Sequence, residues 1–211
     1  MLITLFHWWI KLTGGLAWAL IVRWHIDYED RSAQGRSIKG AAIVVPNHTN
    51  VMDVAAMLFL FPFRTLRCVV AELMYEKNVF MTLMLRCMGT VKVDRNSHDF
   101  DFLGKCKRIL DRGGVVEIYP ESRIPKAGEK TPLEFKPSAI YLALESGAPI
   151  IPVYTSGGYF SGGRSRVVIG KPIDARALYD NTLGEQENIA AITAHVRGKI
   201  IELRDQFCKE A

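Results

Sequence analysis

His48 and Asp53 stand five residues apart in the run Val45-Pro46-Asn47-His48-Thr49-Asn50-Val51-Met52-Asp53. A histidine at the mouth of a helix can be met by a carboxylate from just inside it, because the backbone after the histidine turns back. The carboxylate then holds one imidazole nitrogen and sets the tautomer. The other nitrogen is left to take a proton from a hydroxyl. The plain alternative is a capping aspartate beside a surface histidine, which the pair taken alone would favour.

The surrounding elements favour the chemical reading. Ala41-Ala42-Ile43-Val44-Val45 is a short apolar run suited to a buried strand, and Pro46 ends it. Asn47, Thr49 or Asn50 can cap a helix over 51–61. The pair therefore falls at the carboxyl end of a strand, where open α/β sheets place their sites. Further along, the pattern predicts strand 65–71, helical turns within 72–87, strand 89–93, helix 98–112 and strand 114–119. A long loop over 120–134 follows, then helix 136–146, strands 149–155 and 165–170, and helix 185–208. That alternation predicts an α/β fold with a mixed, largely parallel sheet flanked by helices. Ser97, His98, Asp99 and Asp101 read as helix-start charges rather than a metal site.

Four motifs follow one another: Asn47-His48-x-x-x-x-Asp53, Gly89-Thr90-Val91-Lys92-Val93-Asp94-Arg95, Tyr119-Pro120-Glu121-Ser122-Arg123, and Ala148-Pro149-Ile150-Ile151-Pro152-Val153. In this order they resemble the sequence blocks of the glycerolipid acyltransferases, the 1-acylglycerol-3-phosphate acyltransferase family. Phe135-Lys136-Pro137 also stands where that family commonly has Phe-Lys. Two departures stand out. Glu121-Ser122-Arg123 is one residue shorter than the family's Glu-Gly-Thr-Arg, and a serine replaces the glycine, which matters if that residue needs positive φ.

The resemblance implies an O-acyltransferase of phospholipid biosynthesis with the same α/β class of fold. It would move a fatty acyl group from acyl carrier protein or coenzyme A to the hydroxyl of lysophosphatidate, giving phosphatidate. His48 would be the general base and Asp53 its orienting partner. Arg95, Glu121 and Arg123 would hold the acceptor's glycerol phosphate, with Lys136 a lesser candidate, and Pro152 would line the acyl-donor side. Backbone amides after His48 would stabilise the oxyanion. No metal and no organic cofactor are implied. Acylation of another lysolipid, such as an aminolipid, is the rival kept open by the shortened block. A catalytically silent membrane-binding protein and a thioesterase are less compatible with the paired His48 and Asp53 and the phosphate-binding arginines.

At 211 residues, 49% of them hydrophobic, the chain suits one sizeable core. Its 27 basic and 22 acidic residues leave a net charge of +5, in keeping with an anionic membrane surface or anionic substrates. No basic stripe with interleaved aromatics points to nucleic acid. Cys68, Cys87, Cys106 and Cys208 show no zinc-ligand spacing; Cys68 and Cys87 read as buried thiols in a reducing cytosol.

Residues 2–24 are largely apolar, and Thr4, His7, Lys11 and Gly14 or Gly15 fall on one narrow helical stripe. No basic leader or small-residue cleavage site marks a secretory signal. The segment is long enough to span a bilayer, yet a central lysine costs roughly 2.5–3.5 kcal/mol there. Trp8, Trp9 and Trp18 are scattered along it instead of grouped at two interfaces. A helix lying in one leaflet, indoles at headgroup depth, accounts better for both facts. The chain is thus expected to comprise a membrane-associated helix, 1–26, and an acyltransferase domain, 27–211, on the cytoplasmic face of a membrane.

Overall fold

The structure, a computed structural model, describes residues 2–94, 101–160 and 164–207. Its elements in chain order are α1 (Leu2–Val22), β1 (His25–Tyr28), β2 (Ala42–Pro46), α2 (Asp53–Leu60), β3 (Leu66–Ala71), a 3₁₀ turn (Glu72–Met74), α3 (Val79–Met88) and β4 (Val91–Val93). They continue with α4 (Asp101–Asp111), β5 (Val115–Glu117), α5 (Ser138–Ser146), β6 (Ile150–Thr155), β7 (Arg166–Ile169) and α6 (Glu185–Phe207).

The strands form one sheet in the order β1-β7-β6-β2-β5-β3-β4, parallel throughout except where β6 meets β7. The mixed, largely parallel α/β architecture is the one the pattern predicts. In the central strand β2 every residue is buried, the signature of a strand covered on both faces. Its side chains alternate: Ile43 and Val45 join the core under α4, α5 and α6, whereas Ala42 and Val44 join the core under α1 and α2. The crossover β2–α2–β3 runs one way along the sheet, and β5–α5–β6 runs the other. The loops leaving β2 and β5 therefore flank a topological switch point, where such folds open a crevice.

Two expectations change here. No strand was expected before residue 41, but His25–Tyr28 is an edge strand pairing in parallel with β7, so the expected boundary between 26 and 27 falls inside a strand. Four residues are too few to show a period, and only the partner strand reveals them. The second change concerns α1. Its polar stripe faces the protein, not the solvent. His7 and Trp18 are buried, and the Lys11 ammonium donates to the carbonyls of Phe61 (2.9 Å) and Arg64 (2.5 Å) just past the end of α2. A cation there complements the negative end of the helix. Lys11 thus sits on the protein side whichever way α1 meets a membrane. Trp18, expected at headgroup depth, instead stacks on Phe59 and lies against Tyr159. The apolar remainder of α1 faces outward, with Leu2, Trp9, Leu12, Leu16 and Leu20 exposed.

Candidate active site

The loop between β2 and α2 brings His48 and Asp53 together. Nδ1 of His48 donates to Oδ2 of Asp53 at 2.8 Å. The carboxylate is fully buried and accepts four further hydrogen bonds, from the amides of Thr49 and Asn50 and the hydroxyls of Thr49 and Tyr159. Burial alone would raise its pKa. The hydrogen bonds from His48, Asn50, Tyr159 and Thr49 outweigh that and hold it below the usual carboxylate range. An ionised Asp53 requires the proton on Nδ1, which leaves Nε2 of His48 as the basic nitrogen.

The backbone explains why this loop holds its shape. Asn47 bridges β2 to β6: its amide donates to the carbonyl of Thr155 at 2.9 Å, and its Oδ1 accepts the Thr155 N–H at 2.7 Å. Gly157, at φ +68°, lets the following loop close over the dyad, where a Cβ would lie 2.5 Å from Thr49 Oγ1. That loop delivers Tyr159, whose hydroxyl bonds to Thr155 Oγ1 as well as to Asp53. Helix α2 starts at Asp53, two residues later than expected, because the carboxylate turns back to the loop amides and Asn50 Oδ1 takes the N–H of Met52.

Glu121 has a different place from the one expected. It is 5% exposed, with Oε1 accepting the N–H of His48 at 2.7 Å and Oε2 that of Leu133 at 2.8 Å. A carboxylate so placed ties the dyad loop to the 120–134 loop. It cannot hold a phosphate, whose charge it would repel. Ser122, next to it, adopts φ +61°, so the position does require the left-handed conformation that the missing glycine would favour.

Beneath the dyad, the ring of Tyr119 lies 4.4 Å from that of His48, and its hydroxyl donates to Glu117 Oε1 at 2.6 Å. Glu117 is buried in β5, and burial pushes its carboxyl up to about 8, so it is largely neutral at pH 7.

A cleft of about 630 Å³ opens beside His48, over the carboxyl ends of β3, β4 and β5. Its walls include Val69, Leu103, Ile118 and Tyr141; Lys77, Arg123, Lys136 and Asp94 also line it. Arg123 is exposed, and its guanidinium forks onto Glu129 at 2.7 and 2.9 Å. Arg95 lies outside the described residues, as do Ser97, His98 and Asp99. Pro152 does not line the cleft. It sits in β6 opposite Val45, its carbonyl accepting the N–H of Gly170 at 2.9 Å, and β6 lies on the far side of β2 from the cleft. The amides expected to stabilise an oxyanion are already engaged: Thr49 and Asn50 with Asp53, Met52 with Asn50. Among the described residues no three His, Cys, Asp or Glu side chains cluster to hold a metal ion.

Sequence reading missed Lys77, Glu117 and the contact of Tyr159 with Asp53, and it offered Asn47 as a helix cap rather than as the bridge to Thr155. Glu117 had a signal, a lone carboxyl within the apolar run Val115-Val116-Glu117-Ile118. Tyr159 had none, since it meets Asp53 across 106 residues of chain. Of the thiols, Cys68 and Cys106 are buried, while Cys87 is only half-buried.

A family model described as "Acyltransferase" matches residues 25–156. The 1-acyl-sn-glycerol-3-phosphate acyltransferase of Borreliella burgdorferi is 25% identical over 183 residues, covering 82% of this chain and 66% of that protein. The enzyme of the same name from Saccharomyces cerevisiae is 28% identical over 156 residues, 68% of this chain and 50% of the relative. The human 1-acyl-sn-glycerol-3-phosphate acyltransferase beta is 27% identical over 115 residues, 54% and 41%. The chain thus spans roughly two-fifths to two-thirds of the length of these relatives. The crystal structure of the 1-acyl-sn-glycerophosphate (LPA) acyltransferase PlsC from Thermotoga maritima superposes with a TM-score of 0.65 over 92% of this chain and 78% of that one. At 22% identity it shows a common fold.

Proposed function

Because the chain belongs to the acyltransferase family, whose model covers more than half of it, we propose that it moves a fatty acyl group from a thioester of acyl carrier protein or coenzyme A to the free hydroxyl of lysophosphatidate, yielding phosphatidate. The observation that carries this reading is the 2.8 Å contact from His48 Nδ1 to a buried Asp53, beside a largely apolar cleft lined by three cations.

His48 Nε2 takes the acceptor's hydroxyl proton as its oxygen attacks the thioester carbonyl, and Asp53 stabilises the imidazolium. When the tetrahedral intermediate collapses, the C–S bond breaks and the proton passes to the departing thiolate. Thiolate leaves readily, so no covalent enzyme intermediate is required. Of the amides at the turn into α2, that of Val51 is not taken up in the loop's own hydrogen bonds, and Val51 lines the cleft; it is our candidate for the oxyanion. Arg123, Lys136 and Lys77 line the cleft where a phosphate can meet them, and Arg95 is retained for the same task on its motif. Glu121 is a positioning residue for the dyad loop. Helix α1, long and apolar enough to cross a membrane, is read as lying in the cytoplasmic leaflet by its exposed side.

The second reading is a lysolipid acceptor without a phosphomonoester. It is favoured by one observation: Glu129 already occupies the guanidinium fork of Arg123. Incubating the purified protein with labelled acyl-CoA or acyl-ACP and a panel of lysolipids, with products read by mass, tests both. Phosphatidate as the main product is expected. A product from an aminolipid acceptor alone would establish the second reading, and no acylated product from any acceptor would refute both.

A further inference from the structure

A second basic cluster lies away from the cleft, at the amino ends of β3 and β5. Arg67, Lys105, Arg108 and Arg112 line a bay of about 400 Å³ together with Thr4 of α1 and Thr65. No residue lines both this bay and the cleft, which opens at the carboxyl ends of the same strands. Residues 105, 108 and 112 recur at helical spacing along α4 and the turn that ends it. Cations at the end of a helix are ordinary, since they complement its negative pole. Three features go beyond that. Lys105 and Lys107 each pair with an aspartate four residues away, Asp101 and Asp111, whereas Arg108 and Arg112 have neither hydrogen bond nor ion pair among the described residues. Like charges four residues apart repel. Arg67 then adds a guanidinium from within the sheet. It is half-buried, and its hydrogen bond goes to a neutral acceptor, the carbonyl of Gly89 at 3.1 Å. Burial lowers its pKa, and no carboxylate offsets that cost. Gly89 makes the room, since a Cβ there would lie 1.5 Å from Arg67 Nη1. Lastly, no acidic side chain lines the bay, and the hydroxyls of Thr4 and Thr65 make no hydrogen bond among the described residues.

We propose that this bay is a second anion site, which takes a phosphate group between Arg67, Arg108 and Arg112 with Thr4 and Thr65 as further donors. Guanidinium forks and hydroxyls converge there from β3, α4 and α1, an arrangement suited to a tetrahedral anion with several acceptor oxygens. A partly desolvated charge without a counter-charge is costly, and a bound phosphate supplies what the fold omits. A nucleotide fits poorly, because no aromatic side chain lines the bay to stack a base. An acyl chain fits no better, since Ile109 and Val115 are its only large apolar lining residues. Free phosphate and a lipid phosphomonoester present the same oxygens, and the experiment separates them. The site does not rest on the reaction proposed above.

The test uses the full chain in neutral detergent and phenylglyoxal, which modifies arginine, with labelling read at each arginine by peptide mass. At fixed ionic strength, inorganic phosphate in place of chloride should slow labelling of Arg108 and Arg112 by about fivefold or more, while exposed Arg86 is unaffected. Dihexanoyl phosphatidate, a soluble phosphomonoester lipid, is the second probe. Protection by inorganic phosphate assigns a free anion, and protection by the lipid alone assigns a headgroup. Labelling of Arg108 and Arg112 that follows Arg86 with both probes would overturn the proposal. In Arg67→Gln, the concentration of the protecting probe needed to half-protect Arg108 should rise about tenfold. An unchanged value would mean that the surface arginines of α4 attract the anion without a bay, and would overturn the proposal as well. Should Arg67→Gln not fold, the exposed Arg112→Gln, with the same readout at Arg108 and the same two outcomes, takes its place. Protection of Arg123 reports on the cleft and the proposed reaction, and the result at Arg108 and Arg112 stands apart from it.

Discussion

The two sides of the cleft are built in opposite ways. At the dyad, one buried carboxylate accepts five hydrogen bonds, and the loop bearing it is tied to β6 by Asn47 and to the 120–134 loop by Glu121. On the cation side, Lys77, Arg123 and Lys136 are exposed, and Arg123 is held by another side chain of its own loop. A general base must be aimed before substrate arrives, so its geometry is over-determined. An anion-binding group need only be within reach; on the reading proposed above, a phosphate would replace Glu129 on the guanidinium of Arg123. On that reading, rigidity sits where a proton is to move, and adaptability where a charged ligand is to dock.

Breaking the rigid side should do the most damage. His48→Ala is expected to lower kcat by about 10²–10⁴-fold while membrane partition and fold are retained. Asp53→Asn should approach that loss, and Tyr159→Phe should cost only about threefold to tenfold, since four other hydrogen bonds on Asp53 survive it. Near wild-type turnover in His48→Ala would remove the dyad from the mechanism.

On the adaptable side, Arg123→Ala should weaken acceptor binding by one to two decades, for roughly 1.5–3 kcal/mol of charge-assisted hydrogen bonding, with donor KM little changed. The preference for lysophosphatidate over lysolipids bearing a head group should be blunted with it. An unaltered preference would detach Arg123 from phosphate recognition and favour the second acceptor reading.

Glu117 sharpens the comparison through pH. Its folded pKa, about 8, lies above the ordinary 4.5, so the folded state binds the proton that the unfolded state releases between those values. Its contribution to stability is therefore full below pH 4.5 and lost as pH rises through 8. Denaturant melts across that window should show wild type losing roughly 1–2 kcal/mol relative to Glu117→Gln, allowing for water relieving part of the burial. Parallel pH profiles of the two proteins would mean that Glu117 is ionised in the fold.

The smallest effect is expected at the hinge between the two sides. Ser122→Gly should stabilise by roughly 0.5–1 kcal/mol, as relief of the left-handed backbone outweighs glycine's greater unfolded entropy. A thermal melt shifted upward by about 1–4 °C is the readout, and a downward shift would show the serine side chain stabilising that turn.

Much of this was legible in residue order because the forces are local. Apolar periodicity located the sheet strands apart from β1, and the strand–Pro–helix grammar put His48 and Asp53 on one turn. The expectation of positive φ at Ser122 likewise concerns one residue's own sterics. What reading order alone could not supply are contacts made across the fold. Tyr159 reaches Asp53, Asn47 clasps Thr155, and Trp18 packs on Phe59 only after the sheet has assembled. The stripe on α1 shows the limit most clearly. Its period was plain in the sequence, but which side would meet protein was decided by the carbonyls of Phe61 and Arg64, which offer Lys11 partners that lipid cannot.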